Sequence, residues 1–200
     1  LNREWAVVLV GQQAVMLRHR PDRPPRERVQ IVSVRAFETW TANRVVLVED
    51  KKKRGEFKEV PMSRLWLRDP NRRQFEGLTF APAATPEEAA EITPPAHFNL
   101  WQGFEVEPKA GGAFDPFLDH LMENVCDGSE ELFLWLTGWM AHMVQRPRER
   151  LGTAVALRGG QGSGKTIVGR TLGRLFEAHY ALVDDPRYVT GNFNSHLEAT

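Results

Sequence analysis

Twelve consecutive residues, RGGQGSGKTIVG from Arg158 to Gly169, constrain the fold more than any other part of the sequence. Residues 159–166 match the pattern G-x-x-x-x-G-K-[ST] in full. An apolar stretch at 153–157 precedes the match and predicts a short buried strand. The pattern after it predicts a helix with these residues inward: Ile167, Val168, Leu172, Leu175 and Phe176. The motif therefore lies in the strand–loop–helix context that a phosphate-binding loop requires.

The residue types in this loop suit the binding of a triphosphate. Glycines let the backbone wrap closely around phosphates and aim its N–H groups at them, and the helix N-terminus adds positive charge. The predicted nucleotide-binding residues are Gly159, Gly160, Gln161, Gly162, Ser163, Gly164, Lys165 and Thr166. We expect Lys165 to reach the β- and γ-phosphates of ATP and Thr166 to ligate Mg²⁺, which makes these two the predicted catalytic residues.

Hydrolysis of the nucleotide also needs an acid that holds the metal and orients water. The stretch YALVDD at 180–185 ends in two aspartates, and either Asp184 or Asp185 is a candidate. The stretch begins only a helix and a turn after the loop, however. A strand-end turn before Pro186 is therefore the favoured interpretation of this pair.

The net charge of zero hides an asymmetry between the two parts of the chain. Residues 1–73 hold 17 Lys and Arg against 9 Asp and Glu, whereas residues 74–200 hold 9 against 17. A basic half indicates an anionic partner such as nucleic acid, or attraction between the two halves. The basic loops at 18–28 and 51–54 are candidates for phosphate contact. A solvated surface is favoured for them, because only Phe57 lies close enough in sequence to stack on a base.

Several classes of protein are excluded or disfavoured by composition. One cysteine, Cys126, allows no disulfide framework within the chain, and we expect it to be a small buried residue rather than a nucleophile. No apolar run is long enough to span a bilayer, and the N-terminus lacks the layout of a signal peptide. These features predict a cytoplasmic protein without a membrane partner.

The chain divides into four predicted segments. Residues 1–82 form a small α+β accessory region, and the Pro- and Ala-rich residues 83–97 form a linker. Residues 98–150 form a helical segment: a helix over 117–125 and, after the N-cap Ser129, a second one. The second helix carries a broad apolar stripe that predicts burial, made of Leu132, Phe133, Trp135, Leu136, Trp139, Met140, Met143 and Val144. Residues 151–200 begin a P-loop ATPase domain, so the predicted fold class is α/β with an incomplete P-loop NTPase.

Four stretches resemble the helicase portion of phage and plasmid primase–helicase proteins, relatives of the superfamily 3 helicases. They are WLRDPNRRQFEGLTFAP (66–82), NLWQGFEVEP (99–108), GGQGSGKT and YVTGNFNSHLEAT (188–200). The resemblance implies an ATP-driven motor of DNA replication that acts on single-stranded DNA as a ring-shaped homo-oligomer such as a hexamer. It also implies that the second acidic motif, the polar sensor and the arginine finger follow position 200. We therefore expect the 200-residue chain alone to hydrolyse ATP negligibly.

Two other classes of protein stay open at this point. One is a different P-loop enzyme, such as a small-molecule kinase, although such kinases usually begin close to the loop and about 150 residues precede it here. The other is a nucleotide-binding or assembly module without catalysis.

Overall fold

A computed structural model describes residues 1–50 and 55–183 of the chain. Its contacts divide the chain into two compact units. Unit 1 comprises Leu1–Thr79 and Thr93–Leu100, and unit 2 comprises Phe80–Ile92 and the chain from Trp101 onwards. Helices and strands occur together, and strand pairs run both parallel and antiparallel. The predicted α/β class is confirmed at this level.

Unit 1 is built mainly from short strands. They are β1 (Trp5–Val10), β2 (Gln13–His19), β3 (Val29–Ser33), β4 (Val45–Glu49), β5 (Phe57–Pro61), β6 (Gln74–Phe75), β7 (Gly77–Thr79) and β8 (His97–Asn99). Helices α1 (Val34–Thr41) and α2 (Met62–Trp66) follow β3 and β5. The largest sheet has the order β3-β2-β1-β6, in which β1 and β6 are parallel and the other pairs antiparallel. The remaining strands pair as β4-β5 and β7-β8.

The four-stranded sheet buries both of its faces. β1 and β2 form a hairpin in which Val10 pairs with Gln13, and Gly11 allows the tight turn with a φ of +59°. Successive residues of β1 point to opposite faces. One face packs as the cluster Trp5, Val7, Met16, Phe37 and Trp66, and the other as Ala6, Val8, Leu17 and Phe98. A small unit thus obtains two apolar layers from a single sheet.

Unit 2 is helical in its described part. Its elements are α3 (Pro86–Ile92), α4 (Asp115–Asp119), a π-helix (His120–Val125), α5 (Glu130–Gln145) and α6 (Lys165–Leu175). The core joins α5, α6 and the π-helix through Leu121, Cys126, Leu136, Met140 and Val168. The predicted cap is confirmed, since the Ser129 hydroxyl accepts a hydrogen bond from the Leu132 N–H at 3.4 Å. Burial of Cys126, whose side chain is 3% exposed, is confirmed as well.

The strand predicted over 153–157 is not formed. No strand is assigned between Leu151 and Gly160, and no described segment pairs with this stretch. A strand needs a neighbouring backbone for its hydrogen bonds, and apolar composition alone does not supply one. Val155 and Leu157 nevertheless pack against the core of unit 2, whereas Thr153, Ala154 and Ala156 are exposed, so the predicted burial holds only in part.

The helical predictions in unit 2 need three corrections. The helix predicted over 117–125 is α-helical only to Asp119 and continues as the π-helix. The apolar stripe of α5 is only partly buried: Leu132 and Trp135 are 55% and 52% exposed. Leu132 lies in the first turn of α5, and Trp135 lies about 100° around the helix from the buried Leu136. Ile167, predicted to point inward from α6, is 55% exposed and lies about 100° around that helix from the buried Val168.

The segment predicted to be a linker contains helix α3. The Thr85 hydroxyl accepts a hydrogen bond from the Glu88 N–H at 3.2 Å, and the Glu88 carboxylate accepts one from the Ala84 N–H at 2.9 Å. These bonds satisfy backbone donors at the start of α3. Across the described residues, even the longest helix, α5 with 16 residues, is too short to cross a bilayer.

Candidate nucleotide-binding site

The glycine-rich loop leads directly into α6, as the sequence predicts. Gly164 is the N-cap residue, and Lys165 and Thr166 are the first two residues of the helix. Gly162 and Gly164 have φ angles of +84° and +78°, a left-handed conformation that costs other residues about 1–2 kcal/mol. Two of the four glycines are therefore required by the path of the backbone itself. That path brings the loop over the N-terminal end of α6.

The Lys165 ammonium lies inside the loop. Its Nζ donates to the carbonyl oxygens of Gly159 and Gly160 at 3.0 and 2.6 Å and to the Ser163 hydroxyl at 2.9 Å. The Ser163 hydroxyl in turn donates to the Gly160 carbonyl at 3.0 Å. The loop thus places a fixed positive charge at its centre, next to the positive end of the α6 dipole. This concentration of positive charge suits a polyanion.

The other predicted residues of the site are more exposed. Gln161 and Thr166 are open to solvent. Thr166 lies in the first turn of α6, where it lines a cavity of about 420 Å³ together with Lys165. Its hydroxyl fits a magnesium site, because Mg²⁺ takes one or two protein ligands and fills its other positions with water and phosphate oxygens. Among the described residues, no group of three His, Cys, Asp or Glu side chains could hold a metal ion.

Two sets of sequence candidates lie outside the described residues. They are the aspartate pair Asp184 and Asp185 and the basic loop at 51–54. The stretch at 188–200 that contributes to the family resemblance also lies there. The acid that would complete hydrolysis therefore stays a prediction.

Sequence reasoning missed His120, which contacts the glycine-rich loop. It is the first residue of the π-helix, and its Nε2 lies 3.4 Å from the Gly164 carbonyl oxygen. With its proton on Nε2, His120 donates a hydrogen bond to this carbonyl. A Cβ atom added at Gly164 would lie only 2.2 Å from Cε1 of His120. The sequence carries no signal for this contact, because the two residues lie 44 positions apart and the π-helix alters the register of its side chains.

Packing behind the loop holds α6 in place. Val168 is buried in the core of unit 2, and Tyr180 lies flat against Gly173. A Cβ atom at Gly173 would approach the Tyr180 ring to 2.5 Å, and one at Gly169 would lie 3.6 Å from its hydroxyl. Gly169 and Gly173 therefore serve close packing against the residue that follows α6, rather than chemistry.

Several cations of unit 1 lie at one end of the four-stranded sheet. Arg18 is held there by a 2.9 Å ion pair with Glu4, and its guanidinium lies 5.1 Å from the centre of the Trp5 ring. Burial lowers the pKa of His19 below its usual value, and the nearby guanidinium groups of Arg73 and Arg28 lower it further. The basic loop predicted at 18–28 is thus part of a larger group of positive charges.

Comparison with known proteins gives no relative for this chain: no family model, no curated protein and no solved structure matches it. The candidate site therefore rests on the geometry of residues 159–166 and on their chemistry.

Proposed function

We propose that this chain binds ATP with Mg²⁺ through residues 159–166. The backbone N–H groups of the loop and of the first turn of α6 bind the phosphates. Lys165 contacts the β- and γ-phosphates as a fixed positive charge, and the Thr166 hydroxyl is a ligand of the magnesium ion. The ion, when bound, offsets the negative charge of the phosphate oxygens. His120 supports the loop from the outside through the Gly164 carbonyl.

One observation carries this proposal. The Lys165 ammonium is held by three oxygens at the centre of a glycine loop that caps the N-terminus of an eleven-residue helix. A polyanion that enters the loop exchanges these neutral acceptors for charged oxygens, which form stronger hydrogen bonds with an ammonium.

Replacement of Lys165 by Ala tests the assignment. Hydrogen bonds to a charged group contribute about 1.5–3 kcal/mol each, so the Kd of Mg²⁺–ATP should rise about 10- to 150-fold. Arg170→Ala is the matched control, because it removes the same charge from an exposed position of the same helix. Calorimetry should find the control within about twofold of the wild type. Equal ATP affinity for the wild type and Lys165→Ala would refute the assignment.

We further propose that the chain is the ATP-binding portion of a phage- or plasmid-type replicative DNA helicase. Support comes from the four family-like stretches, from the basic character of residues 1–73 and from the phosphate-binding loop. In this proposal the parent protein works in the cytoplasm on single-stranded DNA, as a ring-shaped homo-oligomer such as a hexamer. ATP binding in the loop then drives translocation or unwinding.

Nucleic-acid-stimulated ATPase activity of the longer parent protein tests the helicase proposal. Stimulation by single-stranded DNA that disappears in Lys165→Ala is the expected result. No stimulation by any nucleic acid would reject the helicase and favour a small-molecule kinase or a module without catalysis. We expect the 200-residue chain alone to turn over ATP negligibly. Robust turnover that is lost in Asp184→Asn or Asp185→Asn would instead identify that pair as the metal-binding acid.

A further inference from the structure

One end of the four-stranded sheet in unit 1 gathers basic residues from three strands. Because β2 runs antiparallel to β1 and β3, and β6 runs parallel to β1, the C-terminal end of β2 meets the N-terminal ends of the other three. The positively charged or titratable residues at this end, here called the basic end, are Arg18, His19, Arg20, Arg28, Arg72 and Arg73. The order β3-β2-β1-β6 spreads them along a row of about 14 Å, given a strand spacing of about 4.8 Å.

Two arginines of the basic end form an ion pair or hydrogen bonds within the protein. Arg18 forms the ion pair with Glu4. Arg72 donates to the Leu67 carbonyl oxygen and, from Nε, to the Gln74 side chain at 3.1 Å. These guanidinium groups hold the ends of the strands together.

Arg20 and Arg73 differ from them. The Nε of Arg20 is buried without a hydrogen-bond partner, and its Nη2 reaches only the Glu27 carbonyl oxygen at 3.4 Å. The Arg73 guanidinium lies 5.2 Å from the centre of the Phe75 ring. Within residues 1–50 and 55–183, neither side chain forms an ion pair with a carboxylate. A half-buried guanidinium without a counter-charge is costly unless an anion binds to it.

The surroundings of these two side chains are positive. Arg28 stands next to Arg20, since the Arg20 N–H donates to the Arg28 carbonyl oxygen at 2.7 Å. Arg73 and Arg28 both disfavour protonation of His19, which means that their charges act on the same small region. Glu4, one of the acidic side chains at this end, is already paired with Arg18.

We propose that Arg20 and Arg73, backed by Arg28, bind successive phosphate groups of a single-stranded nucleic acid across the basic end. Guanidinium groups bind phosphate oxygens through two parallel hydrogen bonds, which suits this chemistry better than an ammonium. A row of about 14 Å fits several phosphates along a polymer rather than one inorganic ion. The choice of a single strand rests on the proposed helicase function, whereas the phosphate chemistry does not.

The test measures the binding of fluorescently labelled dT20 by fluorescence anisotropy, over a range of salt concentrations and without nucleotide. It compares the wild-type chain with two variants. The variant is R20Q/R73Q. Its matched control is R35Q/R44Q, which removes the same charge from exposed positions at the start of α1 and after it, neither of which belongs to the basic end. Each lost phosphate contact should lower the salt slope by about 0.7 for a single strand.

We expect the slope for R20Q/R73Q to fall by about 1.4 and its affinity at low salt to drop, while the control keeps the wild-type values. Equal slopes and affinities for the wild type and R20Q/R73Q would overturn the proposal, as would an equal loss in the control. Displacement of dT20 by inorganic phosphate at constant ionic strength would indicate a site for a single ion and would also overturn it. Tighter binding of a dT20–dA20 duplex than of dT20 would overturn the choice of a single strand.

A second variant guards against misfolding. If circular dichroism finds R20Q/R73Q unfolded, R20K/R73K takes its place, because it keeps both charges and removes the paired hydrogen bonds. It should bind dT20 more weakly with an unchanged salt slope, and wild-type affinity would overturn the proposal. R20Q/R73Q should keep the wild-type affinity for Mg²⁺–ATP, because neither residue belongs to the loop at 159–166. Failure of the basic end and failure of the nucleotide site are therefore distinguishable.

Discussion

Replacement of Gly164 by Ala should destabilise the glycine-rich loop through two separate physical effects. The first is backbone strain, because Gly164 has a φ of +78°. The second is a steric conflict, because the new Cβ would lie 2.2 Å from Cε1 of His120. The two effects can be separated, since only the second depends on the imidazole ring.

The expected magnitudes follow from these two costs. A left-handed conformation costs a residue with a Cβ about 1–2 kcal/mol. Forcing an extra atom into a packed site costs about 1–3 kcal/mol. Gly164→Ala should therefore lower the free energy of unfolding of unit 2 by about 2–5 kcal/mol, the sum of both ranges. In the background His120→Ala, which removes the ring, only the backbone cost of about 1–2 kcal/mol should remain.

A double-mutant cycle measures this difference. Native-state hydrogen exchange of the α6 amides in the wild type, Gly164→Ala, His120→Ala and the double variant reports the opening of unit 2 without interference from unit 1. The coupling energy between the two positions should be about 1–3 kcal/mol, with the double variant more stable than the sum of the single changes predicts. Additivity within about 0.5 kcal/mol would refute the contact between His120 and the loop.

Three further predictions concern both units. The folded state holds the pKa of His19 below its unfolded value near 6.5, so the unfolded chain binds the proton first as the pH falls. The free energy of unfolding should therefore decline below about pH 6.5. Urea titrations of His19→Gln should lack this part of the decline. Asn2→Ala should destabilise unit 1 by about 1–3 kcal/mol, because the Asn2 side-chain oxygen accepts hydrogen bonds from the Trp66 indole N–H at 2.7 Å and the Arg73 N–H at 2.9 Å. The control is Asn43→Ala at an exposed position. An equal shift of the melting temperature in both variants would contradict these hydrogen bonds. Burial raises the pKa of the Cys126 thiol, so Ellman's reagent should react with it only after denaturation, and rapid labelling of the native protein would contradict its place in the core.

Local chemistry explains which parts of the fold were predictable from the sequence. The hairpin follows from two apolar runs around Gly11, and the start of α5 follows from the cap at Ser129. The start of α6 at Lys165 follows from the phosphate-loop pattern. In each case the residues that determine the element are neighbours in sequence. Helix α3 is also determined by residues that are close in sequence, because Thr85, Pro86 and Glu88 form a capping box. The Pro- and Ala-rich composition of the segment led to the prediction of a linker instead.

The features that could not be predicted depend on distant partners. The stretch 153–157 has the composition of a strand, but composition does not reveal whether another backbone pairs with it. The exposed position of Trp135 depends on which face of α5 the rest of unit 2 covers. The contact between His120 and Gly164 arises from the π-helix and from tertiary packing. The loop of the candidate site was therefore predictable, whereas its support was not.

Hydrogen exchange with and without Mg²⁺–ATP tests the central claim, that residues 159–166 bind the nucleotide, most directly. At a free ATP concentration of 100 times Kd, the bound nucleotide should raise the free energy of every opening reaction that releases it by about 2.7 kcal/mol. Amides that exchange through such openings should therefore exchange about 100-fold more slowly. This protection should centre on peptides covering 158–170, and at the same ATP concentration it should fall to about 2- to 11-fold in Lys165→Ala, given the expected rise in Kd. Protection that is absent there at saturating ATP, or that appears only in unit 1, would contradict the claim.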